Sequence, residues 1–97
     1  MKNPRFSPTA QRDLQAIIDY IAHDNPTAAQ QFLLKLKEKC SSLNTSPLSG
    51  RSCENLAPNL RYCAFGNYLI FYRVEQNIIE VVRVLHGARD IKNTFHE

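Results

Sequence analysis

The groups able to do chemistry crowd the second half of the chain. Arg61, Arg83 and Arg89 offer guanidinium forks, which grip phosphate or carboxylate through paired hydrogen bonds. His86 stands beside Arg89 and Asp90 in the run His86-Gly87-Ala88-Arg89-Asp90, where an imidazole near a carboxylate could move a proton. Tyr68 and Tyr72 add phenols to the same region. Each has a plain alternative. The arginines could pair with Asp90, Glu80 or the C-terminus, and a lone histidine at a strand end is commonly structural. No nucleophile–base motif, phosphate loop or paired-carboxylate signature accompanies them. His23, His86 and His96 fall at no metal-ligand spacing, and Cys40, Cys53 and Cys63 form no C-x-x-C, so neither metal nor cofactor is expected. Cys40 and Cys63 read as buried thiols; Cys53, in a polar loop, reads as exposed and prone to oxidation.

These groups sit on a predicted sheet. Leu60 to Asp90 is rich in Tyr, Phe, Ile, Val and Leu, and is split by Gly66-Asn67 and Gln76-Asn77, which read as two-residue hairpin turns. Counting outward from the turns pairs Phe65 with Tyr68, Cys63 with Ile70 and Arg61 with Tyr72. In the second hairpin it pairs Glu75 with Ile78, Arg73 with Glu80, Ile70 with Arg83 and Tyr68 with Leu85. One face then carries Leu60, Tyr62, Ala64, Leu69, Phe71, Val82 and Val84, with an Arg73–Glu80 ion pair. The other mixes Cys63, Phe65, Tyr68, Ile70, Tyr72, Val81 and Leu85 with Arg61 and Arg83. A bulge would swap the faces beyond it.

The first half reads as a cover for that sheet. Lys2 to Phe6 is a short strand, at the sheet's edge or pairing into its middle. Ser7-Pro8 gives a cap followed by proline, and Ala10, Leu14, Ile17, Ile18 and Ile21 recur on one helical face, with Tyr20 beside them. That helix ends near His23-Asp24. Asn25-Pro26 restarts the pattern, with Ala29, Phe32, Leu33, Leu36, Cys40 and Leu43 as the second stripe. So short a link makes an antiparallel helical hairpin, expected on the plainer sheet face. Asn44 to Asn59 reads as an irregular loop, and Ile91 to Glu97 as a helical turn or loose tail. The order is β-α-α-β-β-β: an α+β domain spanning 1–97, with a helical hairpin packed on one face of a small, mainly antiparallel sheet.

Composition excludes little. A net charge of +3 is mild, 43% apolar residues is ordinary, and no run approaches the roughly 18 apolar residues of a membrane span. The start lacks a signal peptide's apolar core, so a cytoplasmic, membrane-free protein is expected.

Several runs are recognisable together. Leu60-Arg61, Gly66-Asn67-Tyr68-Leu69-Ile70-Phe71-Tyr72-Arg73-Val74 and Ile79 through Asp90 closely resemble the ParE toxins of the ParE/RelE superfamily, the plasmid-stabilisation proteins. Phe6-Ser7-Pro8, Asp13-Leu14, Asp19-Tyr20-Ile21-Ala22, Asp24-Asn25-Pro26 and Gly50-Arg51 agree, so the resemblance spans nearly the whole chain. It implies the toxin half of a type II toxin–antitoxin module. The partner would be a ParD-type antitoxin whose disordered tail folds over the toxin, and the target DNA gyrase. No sequence-specific DNA binding is expected of the toxin alone. The aromatic face of Phe65, Tyr68, Ile70, Tyr72 and Val81 is the surface such a tail is expected to cover.

The RelE branch implies a runner-up: ribosome-dependent cleavage of messenger RNA, with arginine and lysine on the phosphate and a C-terminal tyrosine or histidine moving protons. Arg61 and Arg89 match the arginine positions of those nucleases. Phe95 stands where they carry the tyrosine, and a phenyl ring transfers no proton. Ser52 to Asn59 lacks their lysines. The resemblance therefore implies a binding toxin rather than an enzyme, with Arg61, Tyr68, Tyr72, Arg83, His86, Arg89, Asp90 and Phe95 as its target- or antitoxin-binding face. His86 or His96 as a substitute proton carrier keeps the nuclease reading, and an inactive antitoxin-binding relative is a third.

Overall fold

A computed structural model describes residues 3–88 and 91–95. Its elements are β1 (Arg5–Phe6), α1 (Pro8–Asp24), α2 (Pro26–Ser42), β2 (Arg51–Ser52), β3 (Arg61–Phe65), β4 (Tyr68–Glu75), β5 (Ile78–His86) and α3 (Ile91–Phe95). The strands form one sheet in the order β1-β5-β4-β3-β2. All pairings are antiparallel except β1 on β5. This is the expected α+β architecture, with a two-residue strand, β2, inside the stretch expected to be loop.

Both long helices begin as their caps require. The Ser7 hydroxyl accepts from the Ala10 N–H at 3.0 Å, and the Asn25 side chain accepts from the Ala28 N–H at 3.1 Å, each followed by proline. Such caps contribute about 1 kcal/mol each. Asn25 also donates its backbone N–H to Ile21, so one residue closes α1 and opens α2. Hairpin turns fall where counted. Gln76 and Asn77 both have positive φ, as a type I′ turn needs, and Gly66 has φ +59°.

The register of β3 on β4 is as counted, and so are the first pairs of β4 with β5. Beyond them a bulge lies between Phe71 and Tyr72: Tyr72 pairs with Val81 but Phe71 with Arg83. Val82 is the extra residue. Ile70 therefore pairs with Val84 rather than Arg83, and Tyr68 with His86 rather than Leu85.

The helices also take the other face from the one expected. Leu36 and Cys40 of α2 and Ala10 of α1 pack with Ile70, Val81 and Val84, joined by Phe32, Cys63, Phe65 and Tyr68. Phe32 meets Phe65 and Tyr68 edge-on, at centroid distances of 5.3 and 5.4 Å. The bulge explains the compatibility, because it moves Arg83 off this face and brings Val84 onto it. So the aromatic face is under the helical hairpin and cannot be an antitoxin's seat. The plainer face of Leu60, Tyr62, Leu69, Phe71, Val82 and Leu85 is covered instead by Cys53, Leu56 and Ala57 of the loop and by Ile91 and Phe95 of α3. Cys53 is thus buried, at 6% exposure, not solvent-facing as expected. Arg73 and Glu80 are cross-strand neighbours, but no ion pair joins them; Arg83 instead pairs with Asp13 of α1.

Candidate functional site

The expected site residues fall into three places. Arg83, Tyr68 and His86 gather at one end of the sheet beside α1. There Asp13 accepts from Arg83 Nε at 2.7 Å and Nη2 at 2.9 Å, and its Oδ2 also accepts from the Val84 N–H at 3.1 Å. The carboxylate therefore does two things: it neutralises Arg83 and pairs a backbone group on β5's outer edge. Ser7 acts likewise, donating its hydroxyl to Val82 O at 2.8 Å. Asp13 was missed as Arg83's partner. Its signal was present, since it stands one turn from Ala10 and Ile17 on α1's inward stripe, where an isolated carboxylate demands a cation.

His86 meets Tyr68 edge-on at 5.3 Å, and its Nδ1 accepts from the Ala88 N–H at 3.1 Å. Neutral imidazole then carries its hydrogen on Nε2 and presents a donor there, not a base. Between these groups and α1 opens a cleft of about 240 Å³ lined by Asp13, Ala16, Ile17, Tyr20, Tyr68, Val84, Leu85 and His86.

Arg61 and Tyr72 meet elsewhere, under the loop. Tyr72 is fully buried; its hydroxyl donates to Pro47 O at 2.8 Å and accepts from the Gly50 N–H at 2.9 Å. Arg61 donates to Gly50 O at 2.7 Å and Leu48 O at 3.2 Å. A Cβ on Gly50 would collide with the Tyr72 hydroxyl and the Tyr62 carbonyl, so only glycine fits. Burial pushes the Tyr72 phenol up, the Gly50 hydrogen bond opposing. Both hold the loop; Tyr72 is closed off beneath it, whereas half-buried Arg61 also lines an open cleft with Ser52, Glu54 and Asn59. Phe95 is on the opposite face, its ring 4.9 Å from Phe71. Arg89 and Asp90 lie outside the described residues.

Cys40 and Cys63 are the thiols of the helix-side core. Burial pushes Cys40 up to about 12, with the Cys63 thiol adding and Lys39 opposing. Cys53 and Cys63 are raised for the same first reason, so none is an activated nucleophile. No group of three or more metal-ligating side chains occurs among the described residues.

The sequence pattern of the family described as "ParE toxin of type II toxin-antitoxin system, parDE" matches residues 5–91, and the chain belongs to that family. It is 38% identical over 77 residues to Toxin RelE2 of Caulobacter vibrioides, covering 79% of this chain and 85% of that protein. It is 33% identical over 93 residues to Toxin ParE1 of the same organism, covering 95% and 96%. In fold it is similar to a chain of the chromosomal ParDE toxin–antitoxin system from P. aeruginosa, with a TM-score of 0.71 and 21% identity over 89% of this chain and 96% of that one.

Proposed function

We propose that this toxin works by stoichiometric binding, inhibiting DNA gyrase and so arresting replication, rather than by cutting RNA. The observation that carries it is Phe95, which stands where a nuclease would carry a proton-transfer side chain and packs its ring against Phe71 instead. Nη1 of Arg61 is held by the Leu48 and Gly50 carbonyls of the loop, and the His86 Nδ1 lone pair accepts from the Ala88 N–H. Relatives carry both ParE and RelE names, so the choice rests on this geometry.

The domain spans 1–97 and acts in the cytoplasm on this reading; among the described residues no helix is long and apolar enough to cross a membrane. A cognate antitoxin is its partner, in keeping with the ParDE toxin–antitoxin system from which the structural neighbour comes. Its seat is a groove of about 450 Å³ on the helical hairpin, floored by Phe6, Leu14, Ile18 and Leu33 and rimmed by Gln11, Gln15 and Lys37. An amphipathic segment that folds on binding would fill it.

Purified gyrase tests the target. Supercoiling should fall, or cleavage complexes accumulate, as toxin is added. The parallel arm is a ribosome-programmed messenger read by primer extension, where neither the wild type nor Phe95→Tyr should cut efficiently. Positioned cuts with gyrase untouched would establish the nuclease reading instead.

A further inference from the structure

The cleft beside α1 has an internal ion pair at its wall and is otherwise open. Tyr20, which lines it, is 77% exposed, more than the other exposed large apolar residues, Leu34 and Leu48. It contributes little to the fold from there. We propose that this cleft is the surface that grips the protein target, and that it receives one uncharged, ring-bearing side chain. The proposal rests on the binding reading above and names the contact that reading leaves open.

Charge selects the occupant. Asp13 and Arg83 satisfy each other in a bidentate pair with side chains only 11% and 19% exposed, so the cleft offers a phosphate no unneutralised cation from that pair. Shape selects it further. The Tyr68 ring is fixed between Phe32 and His86, both edge-on, which makes one wall rigid. Tyr20 supplies the facing aromatic surface from α1, and the small side chain of Ala16 leaves the space between. A cleft of about 240 Å³ suits a single ring, and aromatic rings pack edge-on or offset against such walls. The His86 Nε2–H and the tyrosine hydroxyls can orient a polar substituent on it.

The cleft is separate from the antitoxin groove. One row of α1, Asp13, Ala16, Ile17 and Tyr20, lines the cleft, whereas another, Gln11, Leu14, Gln15 and Ile18, lines the groove. Such rows are neighbouring stripes of one helix. Changes in the first should therefore spare binding at the second.

The experiment compares wild type, Tyr20→Ala, Tyr20→Phe and the cleft-filling Ala16→Leu in three measurements: growth arrest, inhibition of purified gyrase and affinity for the antitoxin. Tyr20 and Ala16 are exposed, so thermal melts should match the wild type. Tyr20→Ala and Ala16→Leu should weaken arrest and gyrase inhibition about tenfold or more, the scale of losing a central aromatic contact, while antitoxin affinity holds. Tyr20→Phe should keep most activity, and inhibition should change little with salt. Full potency in both variants would overturn the proposal, as would loss of antitoxin affinity alone or a steep salt dependence of inhibition, the mark of a nucleic-acid contact. If the wild type arrests growth without touching gyrase and both variants fail to arrest, the gyrase reading falls and the cleft stands with another protein target. A wild type that does neither overturns both.

Discussion

The two faces of the sheet are covered by different means. On one, two capped seventeen-residue helices lay Ala10, Leu36 and Cys40 over Ile70, Val81 and Val84, and α1 is bolted to β5's edge through Asp13 and Arg83. On the other, an irregular loop and the five-residue α3 cover Leu60, Phe71 and Leu85. A helix of five residues has almost no stability of its own, so α3 is held by the side chains it buries. The first face sets whether the chain folds. The second can open at lower cost.

The largest effect should come from the bolt. Arg83→Ala leaves the Asp13 carboxylate 11% exposed without its cation, and should cost about 3–5 kcal/mol in urea melts. Asp13→Ala with Arg83→Met should recover part of that loss. Equal stability of Arg83→Ala and wild type would mean the helix side does not depend on the pair.

Phe95→Ala should cost less, about 1 kcal/mol, because the ring is half-buried on a short helix. Amide exchange should quicken in α3 while α1 and β5 stay protected. If protection fell equally on both sides, the faces would be one cooperative unit and the contrast would fail.

The effect that vanishes at neutral pH is a pH dependence strongest on the helix side. Cys40 stays protonated in the fold up to about 12, but in the unfolded chain it ionises near 9.0. Between those values the unfolded state binds fewer protons, so this contribution falls as pH rises from about 9 to about 12. Stability of Cys40→Ala should decline less steeply than wild type over that window, in chemical denaturation at fixed ionic strength. Parallel slopes would show that the Cys40 thiol does not titrate differently on folding.

What was legible in the sequence was local. Ser7-Pro8 and Asn25-Pro26 announce both helices because capping is a matter of a few adjacent residues. Gln76-Asn77 sets its hairpin register for the same reason. The bulge was not legible, since Val81, Val82, Val84 and Leu85 put apolar residues on both sides of β5 and erase the alternation that would betray an extra one. The choice of face went with it. Of the candidate site, Tyr68, Arg83 and His86 do lie together, whereas Tyr72 and Arg61 meet under the loop, because their partners are backbone carbonyls and an N–H of a distant segment, which no side-chain pattern reports.

The extra residue in β5 also makes the length of this strand heritable information. Replacing Val82 by another apolar residue changes one contact on the sheet's second face. Deleting its codon would rotate everything that follows: Arg83 would turn beneath the helices, and Leu85 would take a place on the aromatic face. In a population of such genes, position 82 should vary freely in kind and hardly at all in number.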